Sequence, residues 1–161
     1  MVSARIGLLD LGPALDVLER ARRLDRAGLR LGYGGSRLDH VVIGLVRASP
    51  MGAVAWWEDE PVAALGIMVP GGTIGFGWML ATDRWRRVAR LVTVWITDEL
   101  MGACRRFGLT RVETRVATDR GPARAWMRRL GGSLECICPG CGPEGEVHEQ
   151  WAWTDQAKSE V

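Results

Sequence analysis

Along the first fifty residues the apolar positions recur at helical spacing, and from Gly52 they shift to alternation and short unbroken runs. Residues 4–9 form a short apolar run that predicts a first strand. Gly12-Pro13 then starts a helix, because proline's fixed φ suits the first helical position. Leu15, Leu18, Ala21 and Leu29 make its apolar stripe, with Arg20, Arg23, Arg26 and Arg30 largely opposite. Gly32, Gly34 and Gly35 end it. Ser36 begins a second helix with Asp39 as its capping-box partner. Val41, Val42, Leu45 and Val46 are its buried side, and Pro50 follows its end.

The next segment has the period of strands. Residues 53–57 and 62–69 flank the acidic turn Glu58-Asp59-Glu60-Pro61, and Pro70-Gly71-Gly72 turns the chain into a third strand over 73–80. An antiparallel meander is the simplest account. Thr82 or Asp83 caps one long helix whose inward side is Trp85, Val88, Val92, Ile96, Leu100, Ala103 and Phe107, with Gly108 just past its end. Residues 111–118 alternate, with Val112, Thr114 and Val116 on one side and Glu113, Arg115 and Ala117 on the other. Gly121-Pro122 opens a short helix that turns Ala123, Trp126, Met127 and Leu130 inward, and Gly131-Gly132 ends it. Residues 134–138 and 147–153 read as a last strand pair, followed by a polar tail from Thr154. The pattern predicts an α+β chain: one domain over residues 1–153, a mixed, mostly antiparallel central sheet with about four flanking helices, and a tail over 154–161.

With 161 residues and 47% hydrophobic content, the chain can bury a sizeable core as one domain. The net charge of +2 makes it no polycation. Its arginines are nevertheless crowded: Arg84, Arg86, Arg87, Arg90, Arg105, Arg106, Arg124, Arg128 and Arg129 all fall within residues 77–132. Such a cluster is either a basic face for phosphate or an acidic partner, or a solvated helix surface. No apolar run reaches the roughly 20 residues of a membrane helix. The N-terminus lacks the pattern of a secretory signal, so the expected location is inside a cell.

Four cysteines in a chain of this size do not make a disulfide scaffold. Three of them crowd one loop, Cys136-Ile-Cys138-Pro-Gly-Cys141-Gly, and Cys-Pro-x-Cys-Gly is half of a zinc ribbon. Cys136, Cys138, Cys141 and His148 are the candidate zinc ligands. The second Cys-x-x-Cys of a ribbon is absent, and a loop with plain thiols is the alternative.

The element order, and the run Ala123-Arg124-Ala125-Trp126-Met127-Arg128-Arg129-Leu130-Gly131, resemble the GNAT (general N-acetyltransferase) superfamily. In that family a run after the fourth strand cradles the pyrophosphate of acetyl-CoA on backbone N–H groups. The matching run here makes Arg84, Arg86, Arg87, Val88 and Ala89 the candidate cofactor-binding residues, with Arg87 standing where the family has its first glycine. Met127 stands in place of the family's proton-donating tyrosine and Arg120 in place of its asparagine. Glu113, on the central strand with Arg115 as a partner on the same face, is the candidate general base.

The pattern looks closest to the GNAT-like internal virion proteins of tailed phages, which are similar at Trp78, Met79 and Thr82, in the arginine-rich long helix, and at Trp126, Arg128, Arg129, Leu130 and Gly131. That resemblance implies a virion or assembly component without catalysis, located in the virion or host cytoplasm. Its partners would be other virion proteins, and DNA phosphate at the basic face. Two alternatives stay open. One is an active acetyl-CoA-dependent N-acetyltransferase on a small amine or protein amino group. The other is a DNA-contacting module, whose affinity would fall steeply with salt.

Overall fold

The chain's third strand is a continuous apolar run, and such runs belong where a sheet is covered on both faces. In the computed structural model, which describes residues 3–30, 37–142 and 144–154, that strand lies inside a seven-stranded sheet ordered β1-β2-β3-β4-β5-β7-β6. The strands are β1 (Ala4–Leu8), β2 (Met51–Trp57), β3 (Glu60–Met68), β4 (Ile74–Ala81), β5 (Arg111–Ala117), β6 (Ser133–Cys138) and β7 (His148–Thr154). Every neighbouring pair is antiparallel except β4 and β5, which run parallel. Parallel neighbours require a crossover. The long helical segment before β5 supplies it.

On one face lie α1 (Leu11–Glu19), α2 (Arg23–Arg30) and α3 (Leu38–Arg47), whose Val17, Leu18, Val42 and Leu45 pack on Val54, Ala64 and Leu80 of the sheet. On the other, Val88, Val92, Ile96, Leu100 and Cys104 pack on Ala53, Leu65, Ile67 and Val112. A third, smaller core joins Val116 and Trp151 to Met127 of α6 (Gly121–Arg129). These observations match the α+β class and mixed sheet expected from the pattern. Among the described residues no helix is long and apolar enough to cross a membrane.

The single helix expected from Gly12 onward is two. Its path breaks at residues 20–22 because Arg22 donates its backbone N–H to the Ala81 carbonyl at 2.9 Å and Ala21 bridges Thr82. These bonds to the end of β4 replace continued helix. The glycine stop at 32–35 and the Ser36 cap lie outside the described residues. Asp39 is bound by the Arg37 guanidinium, with Nε at 3.1 Å. Thr154, expected to start the tail, is the last residue of β7.

The long helix departs more instructively. After Thr82, whose hydroxyl accepts the Arg84 N–H at 3.3 Å, come a 3-10 turn (Asp83–Arg87), α4 (Ala89–Trp95), a π-helical turn (Ile96–Leu100) and α5 (Met101–Phe107). Gly108, at φ +98°, provides the left-handed close. The buried positions recur every four residues, at 88, 92, 96, 100 and 104. On a regular helix each such step overshoots a full turn by about 40°, and the stripe would wind off the sheet. The π turn, with its i→i+5 bonds, absorbs one extra residue and winds the stripe back. Its phase cost is visible: Cys104 is 2% exposed and Phe107 is 53% exposed, where regular spacing placed Ala103 and Phe107 inside.

Candidate active site

Pairing of β4 with β5 is brief: Ile74 with Arg111, Gly75 with Val112 and Phe76 with Glu113. Gly75 permits it, since a Cβ there would meet Ile67 Cγ2 at 2.5 Å and Leu109 Cδ1 at 2.8 Å. One residue on, the Thr114 hydroxyl donates to the Gly77 carbonyl at 3.0 Å, in the place a strand N–H would take. There the ladder stops and the strands part, leaving a wedge in the sheet. Thr114→Val is expected to cost about 1 kcal/mol in urea unfolding, the worth of one hydrogen bond. Unchanged stability would mean that water serves the Gly77 carbonyl equally well.

Alternation along β4 turns the main-chain groups of Gly77, Met79 and Ala81 away from β3 and toward the wedge. Both groups of Ala81 are taken by the chain itself: its carbonyl accepts from Arg22 N–H, and its N–H donates to Asp25 Oδ2 at 2.9 Å. Asp25 is 5% exposed. It also accepts from Arg22 Nε at 2.9 Å and from Arg120 at 2.9 Å, so one carboxylate joins α2, the end of β4 and the segment before α6. Between Gly77 and Ala81, the N–H and carbonyl of Met79 face the wedge with no β5 main chain opposite. The wedge opens on a cleft of about 630 Å³ between α2, β4, β5 and the loop before β7, with Arg115, Asp119, Arg120, Cys141, Glu146 and His148 in its walls.

Of the residues singled out in the sequence, Glu113 does line this cleft. Its carboxylate, however, accepts from Arg111 Nε at 2.5 Å, so its partner is Arg111 rather than Arg115. Arg111 also binds Glu135, at 2.8 Å to Oε1, and that guanidinium pulls the Glu135 carboxyl below the usual carboxylate range.

The Arg84–Ala89 run is on the opposite face. Arg84 binds Glu60 at 2.7 Å, and Arg87 is folded over the Trp57 ring, 5.4 Å from its centre, so its side chain leaves the turn uncovered. Arg86 is exposed and, among the described residues, in no salt bridge. Val88 is core, 1% exposed, and Ala89 opens α4. The amides of Arg84, Trp85 and Val88 are bonded inside the turn, to Thr82 Oγ1, Thr82 O and Trp85 O. Three amides of the turn are thus taken, and the exposed Arg86 guanidinium is a further donor available to an anion here. Trp85 meets Trp126 edge-on at 5.4 Å, and Trp126 Nε1 donates to Thr93 Oγ1 at 2.9 Å, tying α6 to α4.

The zinc expectation is not met. Cys136 and Cys138 are two residues apart on β6, with Sγ atoms 3.6 Å apart. His148 is opposite Cys138 in register but buried, with Nδ1 3.4 Å from the Glu146 carbonyl. Neighbours along one strand cannot surround an ion, and among the described residues no three Cys, His, Asp or Glu side chains are grouped to hold a metal.

Sequence reasoning passed over Asp25 and Arg22, and met Met79 only as part of a resemblance, not as a site residue. Asp25 carries only the faint signal of an acid inside an arginine-rich helix, and a wedge-facing main chain leaves none.

No family model matches the chain, and no curated protein matches its sequence. Its structure is similar to solved acetyltransferases over nearly its full length. The ribosomal-protein-S18-alanine N-acetyltransferase of Escherichia coli aligns at 12% identity with a TM-score of 0.71, covering 99% of each chain. A GNAT-family acetyltransferase of Streptococcus pneumoniae aligns at 13% identity and TM-score 0.67, covering 94% of this chain and 99% of the other. The Salmonella typhimurium protein yncA, solved with its cofactor acetyl-CoA, aligns at 8% identity and TM-score 0.68, covering 97% and 96%. The fold is that of the GNAT acetyltransferases.

Proposed function

We propose that the chain is an acyl-CoA-dependent N-acyltransferase, transferring an acetyl group to an amine that enters the cleft from the α2 side. The observation that carries this reading is the wedge between β4 and β5, where the Met79 main chain faces an open cleft. A β-edge of this kind can pair with an extended amide-bearing arm as it would with a strand. Acetyl-CoA, when bound, supplies an activated thioester. Met79 would hold its arm through the main chain. Arg86, exposed in the 3-10 turn, would meet its phosphates through guanidinium donors. The Arg22–Asp25–Arg120 cluster would hold the Ala81 end of β4 in place at the open end of the wedge.

An attacking amine must lose a proton. Glu113 would first have to leave Arg111, so the base falls to Asp119, an exposed carboxylate in the cleft wall, acting directly or through water. Met127 has no proton to give to a departing thiolate, so that proton comes from solvent. A second reading is a catalytically silent virion or assembly protein, in which the contact of Trp85 with Trp126 serves only to tie the 84–89 turn to α6. In that case the arginine face would meet protein partners or DNA phosphate.

Titration calorimetry with acetyl-CoA separates the two. Micromolar binding is expected, with Arg86→Ala weaker by about tenfold, equivalent to about 1.4 kcal/mol. Thiol release should then follow on adding an amine. Silence from the native chain and from Arg87→Gly alike would overturn the enzyme reading.

A further inference from the structure

β6 is an outer strand of the sheet, and it ends in a tight turn. In Cys138-Pro139-Gly140-Cys141 proline is second and glycine third, with Gly140 at φ +70°. This is the composition of a turn whose third residue is left-handed, and such a turn brings its first and fourth Cα atoms within about 7 Å. A disulfide spans Cα separations of about 4.4–6.8 Å. Cys138 and Cys141 are therefore within bridging range across the turn.

Along the strand, Cys136 and Cys138 face the same way, about 6.7 Å apart by strand rise. Their sulfurs already approach to 3.6 Å. The register shift between Leu134 and Cys136 loosens the ladder on that side, as a bulge does. Cys138 thus has a prospective partner on either hand. Cys136 is exposed and Cys138 and Cys141 are partly so, whereas Cys104, on α5, is buried against the sheet. Cys141 also belongs to the cleft wall beside Glu146 and His148.

We infer that Cys136, Cys138 and Cys141 form a reversible thiol–disulfide site at the rim of the cleft, in which Cys138 pairs with either neighbour. The oxidant is a low-molecular-weight disulfide, R–S–S–R. The Cys138 thiolate, its proton given to water, attacks one sulfur; the S–S bond breaks, and the first R–S⁻ leaves and is protonated. The thiolate of Cys136 or Cys141 then attacks Cys138 Sγ, forms the internal disulfide and expels the second R–S⁻. The protein has lost two electrons and the reagent has become two R–SH. Attack by the remaining thiolate moves the bond to the other side of Cys138 with no net oxidation. The Cys138 thiol raises the Cys136 pKa by hydrogen bonding, and burial raises that of Cys141, so the exchange quickens as pH rises. The site is independent of whether the cleft carries acyl transfer.

The test equilibrates the purified chain with hydroxyethyl disulfide and then with excess thiol, quenches each in acid, and counts maleimide tags by mass after denaturation. The expected result is four tags when reduced and two when oxidised, with Cys104 always tagged and peptide mapping placing the bond at Cys136–Cys138 or Cys138–Cys141. Cys136→Ser and Cys141→Ser should each still lose two tags on oxidation, and Cys138→Ser should lose its internal bond. Cys104 that tags only after denaturation reports that each variant is folded. Four tags under oxidation, mixed disulfides with no internal bond, or a Cys138→Ser variant that bridges as readily as the native chain would each overturn the assignment.

Discussion

Asp25→Ala should lower the unfolding temperature by about 6–12 °C, the shift that about 3 kcal/mol produces in a chain of this length. The carboxylate is almost fully buried and accepts from two guanidiniums and a main-chain N–H. Truncation leaves the Ala81 N–H without its acceptor and two cations without their counter-charge. The arginines are about a quarter exposed, at 26% and 24%, so water recovers part of their loss, which places the expectation at the low end for a broken buried pair. Asp25→Asn keeps an acceptor for Ala81 and should cost roughly half as much. Thermal unfolding followed by circular dichroism reads the effect directly. A change under about 1 kcal/mol would mean that desolvation of the carboxylate cancels nearly all it gains from its partners.

The second large effect is expected at Trp151→Ala, about 3–5 kcal/mol by the usual cost of emptying an aromatic site. Trp151 is 2% exposed and heads the fully buried side chains. With Val116 and Met127 it forms the buried part of the third core, around which Trp126, Leu130 and Trp153 are packed half-buried. Its Nε1 donates to Glu149 Oε2 at 3.3 Å, and Arg128 lies over its ring at 5.7 Å. Glu149, also 2% exposed, is bound by Arg124 at 2.8 Å and would lose the indole that shields the pair. Trp151→Phe keeps most of the packing and should cost less than half as much. Urea midpoints at unchanged slope check both. A cost below about 2 kcal/mol for the alanine variant would show that α6 collapses onto β7 and refills the site.

Much of the architecture was legible because it depends on local order. The switch from helical spacing to alternation at Gly52, the turns at Glu58–Pro61 and Pro70–Gly72, and Gly108 after Phe107 each report a boundary through the conformation of a few residues. What escaped depends on partners distant in sequence. The break at Arg20–Arg22 comes from Ala81, some sixty residues away, and nothing in a stretch rich in arginine and leucine announces it. Cys104 replaced Ala103 and Phe107 inside because the π turn moved the phase by one residue, and a four-residue repeat can be read as regular helix until its drift is added up. Glu113 lies on a strand as its alternating pattern predicts, but alternation could not tell Arg111 from Arg115 as its partner, both being two residues away on the same face. The three loop cysteines stood out plainly in the sequence. Their chemistry was another matter, because the direction of thiols along a strand is a property of the register.

The sheet is unevenly stitched. Its antiparallel pairs run for five or more residues, whereas β4 and β5 share three, and two of the positions beside that seam, Gly75 and Gly77, lay no side chain across it. The molecule is therefore built like a book with a short spine, the meander as one leaf and β5 to β7 as the other. Bending concentrates at the spine, and a small rotation there changes the gap between the leaves far more than it changes either leaf. The Asp25–Arg120 bond works as the clasp on that gap, linking the page edges where the spine is absent.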